Sequence, residues 1–201
     1  MKESDKIQNL LPFGYLYLVV MGILKESLMF YQIGIPILKY SSIMDILISP
    51  VATLTSHYII AIFVALLFWF FYSLPEILIK YGTKKWIQKA FKLDETLFEL
   101  EPQEQKNHFI YISVKFSAMM LLSFFLGFGF ADGRIVHQKI TSNTLKINCI
   151  MHFNSGENEA VSLINTNSAY YFYVSKNNIN VKIAPVGSIK NIELIKSKNK
   201  I

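Results

Sequence analysis

The longest stretch of apolar positions in the chain is 58–79, YIIAIFVALLFWFFYSLPEILI, where Glu76 near the far end is the only charge. A helix rises about 1.5 Å per residue and a bilayer core is about 30 Å thick, so the stretch predicts a transmembrane helix. Apolar runs at 10–32 and 108–130 predict two more spans. Between the first two, Gly34 and Pro36 end a helix, and Ser42 with Asp45 three residues later forms a capping box before Ile43, Met44, Leu47 and Ile48. That segment predicts a short interfacial helix, on or dipping into the membrane, that stops at Pro50. From Arg134 onward the alternation has period two, predicting strands at 135–141, 144–152, 160–165, 169–176, 179–184 and 189–196 with Asn-, Gly- and Ser-rich turns between them. The expected fold is an α-helical membrane domain over 1–131, with three transmembrane helices and an interfacial helix. A small all-β domain over 132–201, an SH3-like or Sm-like barrel, follows it.

Polar residues inside the spans refine this picture. Lys25 and Glu26 offset most of the insertion energy of the first span, so it needs protein partners. As sequence neighbours they project about 100° apart, which predicts that they do not pair ideally with each other. Lys115 lies about two turns into the third span, within reach of its near interface. In the same helix Ser123, Gly127 and Ala131 set small side chains on one face, a helix-packing strip that favours a homo-oligomer. The aromatic cluster of the second span, Phe63, Phe68, Trp69, Phe70, Phe71 and Tyr72, reads as helix-packing surface.

Charge divides the chain unevenly. From Arg134 onward nine basic residues face three acids, Glu157, Glu159 and Glu193, so the β domain holds the whole excess of +6. The loop 80–107 opens with Lys84, Lys85, Lys89 and Lys92 around Trp86, Ile87, Ala90 and Phe91, a basic amphipathic helix suited to a membrane surface or to partner docking. It turns acidic at Asp94, Glu95, Glu99, Glu101 and Glu104. Eight lysines in the N-terminus and this loop, against Lys39, Arg134, Lys139 and Lys146, place the first two inside and the β domain outside. A fourth crossing by 37–56 would reverse that outcome for the domain.

The chemistry is sparse. A single cysteine, Cys149, allows no intramolecular disulfide, and His57, His108, His137 and His152 have no metal-ligand spacing. Arg134 and His137 are too close together for the R-x-x-x-x-H of a HEPN-type ribonuclease, and neither G-x-S-x-G nor a phosphate loop is present. The expectation is a protein with no catalytic residues, metal or cofactor.

The run GIPILKYSSIMDILISP, 34–50, together with the spans and the Ile, Lys and Asn bias, resembles small bacterial polytopic membrane proteins, and in outline the transmembrane accessory proteins encoded beside type VI-B, RNA-targeting CRISPR effectors. The resemblance implies a regulator of an effector nuclease in antiviral defence. The expected function is therefore a non-catalytic accessory protein of the bacterial inner membrane that meets a soluble effector through its charged loop or basic β domain, and nucleic acid only if that domain is cytosolic. The alternative is an oligomeric pore lined by Lys25 and Glu26, with the β domain as sensor.

Overall fold

The computed structural model describes residues 3–195 of the chain. It divides into two compact units, Met1–Val51 with Phe125–Ile201, and Ala52–Phe124.

Among the described residues three helices are long and apolar enough to cross a membrane: α1 (Glu3–Tyr31), α3 (Tyr58–Tyr81) and α5 (Pro102–Thr141). Most of their apolar surface is exposed, as a helix surrounded by lipid requires. Helix α1 ends at Tyr31 because Gly34, at φ +77°, takes the left-handed turn that lets the Ile35 amide donate back to the Phe30 carbonyl at 3.0 Å. A 3₁₀ turn (Ile37–Lys39) leads to α2 (Ile43–Ser56).

Pro50 does not stop α2 but lies inside it. Lacking an N–H, Pro50 cannot donate to the Ile46 carbonyl four residues back. That carbonyl instead faces Gly22 of α1, where an added Cβ would sit only 2.1 Å from the oxygen. Two departures from ideal helix chemistry therefore meet: a proline frees a carbonyl, and a glycine lets it approach. Of the expected apolar face, Ile43, Met44 and Ile48 are exposed and Leu47 is half-buried; the buried residue is Ile46, outside that face.

In the first unit α1 and α5 run parallel where they touch. Gly129 lies against the Lys25 carbonyl and Gly133 against that of Met29, each with room for no side chain, since a Cβ would be 2.5 Å from the oxygen. The expected strand at 135–141 is instead the last part of α5. Gly133, Val136 and Ile140 recur at spacings of three and four, the period of a helix, and Gly133 and Ile140 are buried. At about 1.5 Å per residue the 40-residue α5 is about 60 Å long, roughly twice the core of a bilayer, so it continues past the expected boundary at 131/132.

The described residues form five strands, β1 (Cys149–Phe153), β2 (Asn158–Thr166), β3 (Tyr170–Ser175), β4 (Val181–Pro185) and β5 (Ile189–Leu194). All pairs are antiparallel and the order is β4-β3-β2-β1-β5. The sheet is open, with β4 and β5 as its edges, and so departs from the expected barrel. One physical reason is that the segment expected to supply a sixth strand is helical. Lys196, the expected end of the last strand, lies outside the described residues. Asn143 and Asn177 take positive φ in turns, as does Gly156 between β1 and β2.

Both faces of the sheet are apolar. On one, Cys149, Met151, Val161, Tyr173 and Ala184 form a core. On the other, Phe172 packs with Met29, Phe30, Ile35 and Ile37, which seats the sheet on the end of α1 and the turn that follows it.

The second unit is a helical hairpin. Phe63 of α3 stacks on Phe124 of α5 at 4.9 Å, and at the other end Leu74 and Leu78 pack with Phe109 and Ile112, so the two helices are antiparallel. Over this end lies α4 (Lys85–Phe91), which inserts Ile87 into the same cluster. Of the expected aromatic packing surface on α3 only Phe71 is buried, while Phe68, Trp69, Phe70 and Tyr72 point outward.

Candidate functional site: the seam between helices and sheet

The polar groups of the first unit gather where α1 and α2 meet the β2–β3 turn. The Ser42–Asp45 box forms as the spacing predicts: the Ser42 amide and hydroxyl donate to Asp45 Oδ2 at 2.9 and 2.7 Å, and the Asp45 amide donates to Ser42 Oγ at 3.1 Å. The same carboxylate accepts from Ser168 of the β2–β3 turn, from its amide at 3.0 Å and from its hydroxyl at 2.9 Å. Partial burial pushes the Asp45 carboxyl upward, but the hydrogen bonds from Ser42 and Ser168 outweigh it and hold the group below its ordinary 3.8.

Asn167 fixes the turn from within. Its Oδ1 accepts from the amides of Ala169 and Tyr170 at 3.0 and 2.7 Å, while its Nδ2 donates to the Tyr40 carbonyl at 3.0 Å and to Ser41 Oγ at 3.3 Å. Beside these bonds, Phe30 meets Phe172 edge-on at 5.0 Å and Tyr40 meets Tyr170 at 5.5 Å. A polar clasp and an aromatic contact thus hold the sheet to the helices across more than 120 residues of sequence. The spacing of Ser42 and Asp45 signals a helix start, and the Asn- and Ser-rich run 165–168 signals a turn. Neither signals that the two meet.

Lys25 and Glu26 are buried, 7% and 8% exposed, and paired at 2.8 Å, contrary to the expectation that neighbours on a helix diverge too far. Ser49 of α2 closes the gap. It accepts from Lys25 Nζ at 2.8 Å and donates to Glu26 Oε1, making a closed triad between α1 and α2. A group lining a water-filled path would face that path, whereas these three face one another. Pairing lowers the cost of two charges in a largely apolar helix, because each has a hydrogen-bonded counterpart.

Ser123, Gly127 and Ala131 are exposed, and the Gly127 backbone has open space beside it; within the chain, the close approach to α1 is made by Gly129 and Gly133. Lys115 is exposed on α5. Lys84, Lys85, Lys89 and Lys92 are exposed with Trp86, around the buried Ile87. On the sheet Glu159 accepts from Lys182 at 2.8 Å, and Lys146, Lys176 and Lys190 are exposed. A cavity of about 200 Å³ opens at the end of α5, floored by Ile140, Leu145 and Val174 and rimmed by Lys139, Asn143 and Lys176. Among the described residues no group of His, Cys, Asp and Glu has the geometry to hold a metal ion.

These arrangements hold α1, α2 and the sheet to one another. Comparisons with protein-family models, with curated proteins and with solved structures find no match to this chain.

Proposed function

We propose that this chain is a non-catalytic membrane adaptor, in which a helical anchor holds a small basic sheet at the bilayer surface as a recognition module for an acidic soluble protein. The seam carries the reading. A domain that only needed tethering could hang on a flexible linker, whereas Asp45, Asn167, Phe30 and Tyr40 clamp this sheet to the ends of two helices. Whatever binds the sheet is then coupled mechanically to α1 and α2. The excess of lysine, with Lys146, Lys176 and Lys190 exposed, suits an acidic partner.

In the orientation that loop charges favour, the N-terminus and 80–107 face the cytoplasm and the sheet lies outside. The partner implied by the resemblance, an RNA-targeting CRISPR nuclease, is cytosolic and in this orientation would meet the acidic stretch 94–104 and not the sheet. A pore lined by Lys25 and Glu26 has less support, because both are consumed in the triad with Ser49.

Photocrosslinkers placed at Asn180 and Asn191, both exposed, in cells test the adaptor reading. One discrete protein adduct, lost when Lys146, Lys176 and Lys190 are changed to Glu, is the expected result. Adducts only to lipid or to the chain itself, or an adduct indifferent to the charge reversal, would overturn it.

A further inference from the structure

We infer that α4 is a docking surface for anionic phospholipid headgroups, and that it reads lipid charge at the membrane face where α3 ends. The inference stands on the second unit alone and does not depend on what the sheet binds.

Position comes first. Helix α3 has 24 residues, about 36 Å, so its last turn reaches the edge of a bilayer core of roughly 30 Å. Gly82 and a short turn separate it from α4, and Gly82 cannot carry a side chain, because a Cβ would sit 2.3 Å from the Leu78 carbonyl. Ile87, 3% exposed, then pins α4 against Leu74 and Leu78 at the end of α3 and against Phe109 and Ile112 of α5. Phe91 adds an edge contact to Phe116 at 5.0 Å. So α4 is held at headgroup level by packing and does not swing freely.

Charge comes second. Between Glu76 and Asp94 there is no acid, while Lys80, Lys84, Lys85, Lys89 and Lys92 fall in that interval. All five are exposed. None of them has an ion-pair partner among the described residues; Lys80 and Lys84 instead lie over the Tyr81 ring at 5.2 and 5.0 Å. An aromatic face steadies an ammonium without neutralising it, which leaves the charge for an external anion. Trp86, 68% exposed beside these lysines, has the amphipathic ring that settles at the headgroup boundary. A soluble acidic protein would match the charge equally, but it would leave an outward tryptophan and a helix fixed at bilayer level unexplained.

The test uses the full chain in nanodiscs. Trp69→Phe leaves Trp86 as the only tryptophan, and its quenching by brominated phosphatidylglycerol, present as a minority of the lipid, reports the local lipid composition. Quenching should exceed that from equally dilute brominated phosphatidylcholine by about fivefold in apparent local fraction, the factor for one lysine near an anionic surface. The variant carrying Lys84→Gln, Lys85→Gln, Lys89→Gln and Lys92→Gln should fall to the bulk level, and high salt should do the same to the unmodified lysines. Bulk-level quenching at low salt with all lysines present would overturn the proposal. So would displacement by inorganic phosphate beyond that by chloride of equal ionic strength, which would mark a site for free phosphate. Neither outcome bears on the sheet crosslinks, so the two readings fail separately.

Discussion

At the scale of single residues, the first unit depends on where glycine is and is not needed. Val at 133 would place a Cβ 2.5 Å from the Met29 carbonyl, a backbone atom that cannot move without shifting α1. The expected cost is about 1–3 kcal/mol, the range for overpacking. Val at 127 meets open space and should change stability by no more than about 0.5 kcal/mol. Thermal unfolding of the two variants in one detergent checks this, and equal shifts would refute the assignment of the α1–α5 contact. Sequence shows small residues at spacing four on two faces, 123/127/131 and 129/133, about 200° apart on the helix, and offers no means of choosing which one faces α1. The Lys25–Glu26 pair was hidden for a related reason: its geometry depends on Ser49, 23 positions beyond Glu26 and on another helix.

Asp45 supplies the residue-scale pH dependence. Its folded carboxyl lies below its ordinary value, so the folded state prefers the charged form. The stabilisation is complete well above pH 3.8 and is lost as pH falls through and below that value. Asp45→Asn should destabilise by about 1–2 kcal/mol at neutral pH, the range for losing a helix cap, and should flatten the acid limb of the stability profile. Melting curves between neutral pH and pH 3 read both effects; an unchanged acid limb in the variant would assign it to other carboxylates.

At the scale of elements, α5 carries the largest difference between expectation and structure. Ile135, Val136, Ile140 and Thr141 are β-branched, and their composition argues for a strand. Tertiary packing overrides it, since only a helix brings Gly133, Val136 and Ile140 to one side. The true strands were legible because their alternation is supported by turn residues, Gly156 and Asn177, that adopt the backbone those turns require. The first strand starts later than its alternation implies: just before it, the Asn148 side chain binds the Leu163 backbone, donating to the carbonyl at 3.0 Å and accepting from the amide at 2.8 Å, while the Asn148 amide donates to the Val161 carbonyl at 3.2 Å. Ile135→Pro tests the helix directly. In a helix interior it should cost about 3 kcal/mol or more and open 130–145 to protease, whereas an extended linker would tolerate it. Limited proteolysis of the protein in membranes separates the two.

At the scale of the molecule, the parallel contact of α1 with α5 constrains how the chain crosses the bilayer. Lys25 faces Gly129 and Met29 faces Gly133, so both helices run in one direction. Two parallel spans in one chain require an odd number of crossings between them. Helix α3 is long and apolar enough to supply one; α2, with 14 residues and about 21 Å, is too short to supply a second. The fourth crossing considered for 37–56 would make α1 and α5 antiparallel and is incompatible with their contact. The start of α1 and the sheet should therefore lie on opposite sides of the membrane, whichever side is cytoplasmic; the proposed orientation, with the start of α1 inside, makes a definite prediction. With Cys149→Ser as background, a cysteine replacing Ser155, exposed in the β1–β2 turn, should react with an impermeant maleimide in intact cells, and one replacing Ser4 only after lysis. The reverse pattern would preserve three crossings, put the basic sheet in the cytosol, and bring a nuclease or its RNA within its reach. Labelling of both from the same side would refute three crossings altogether.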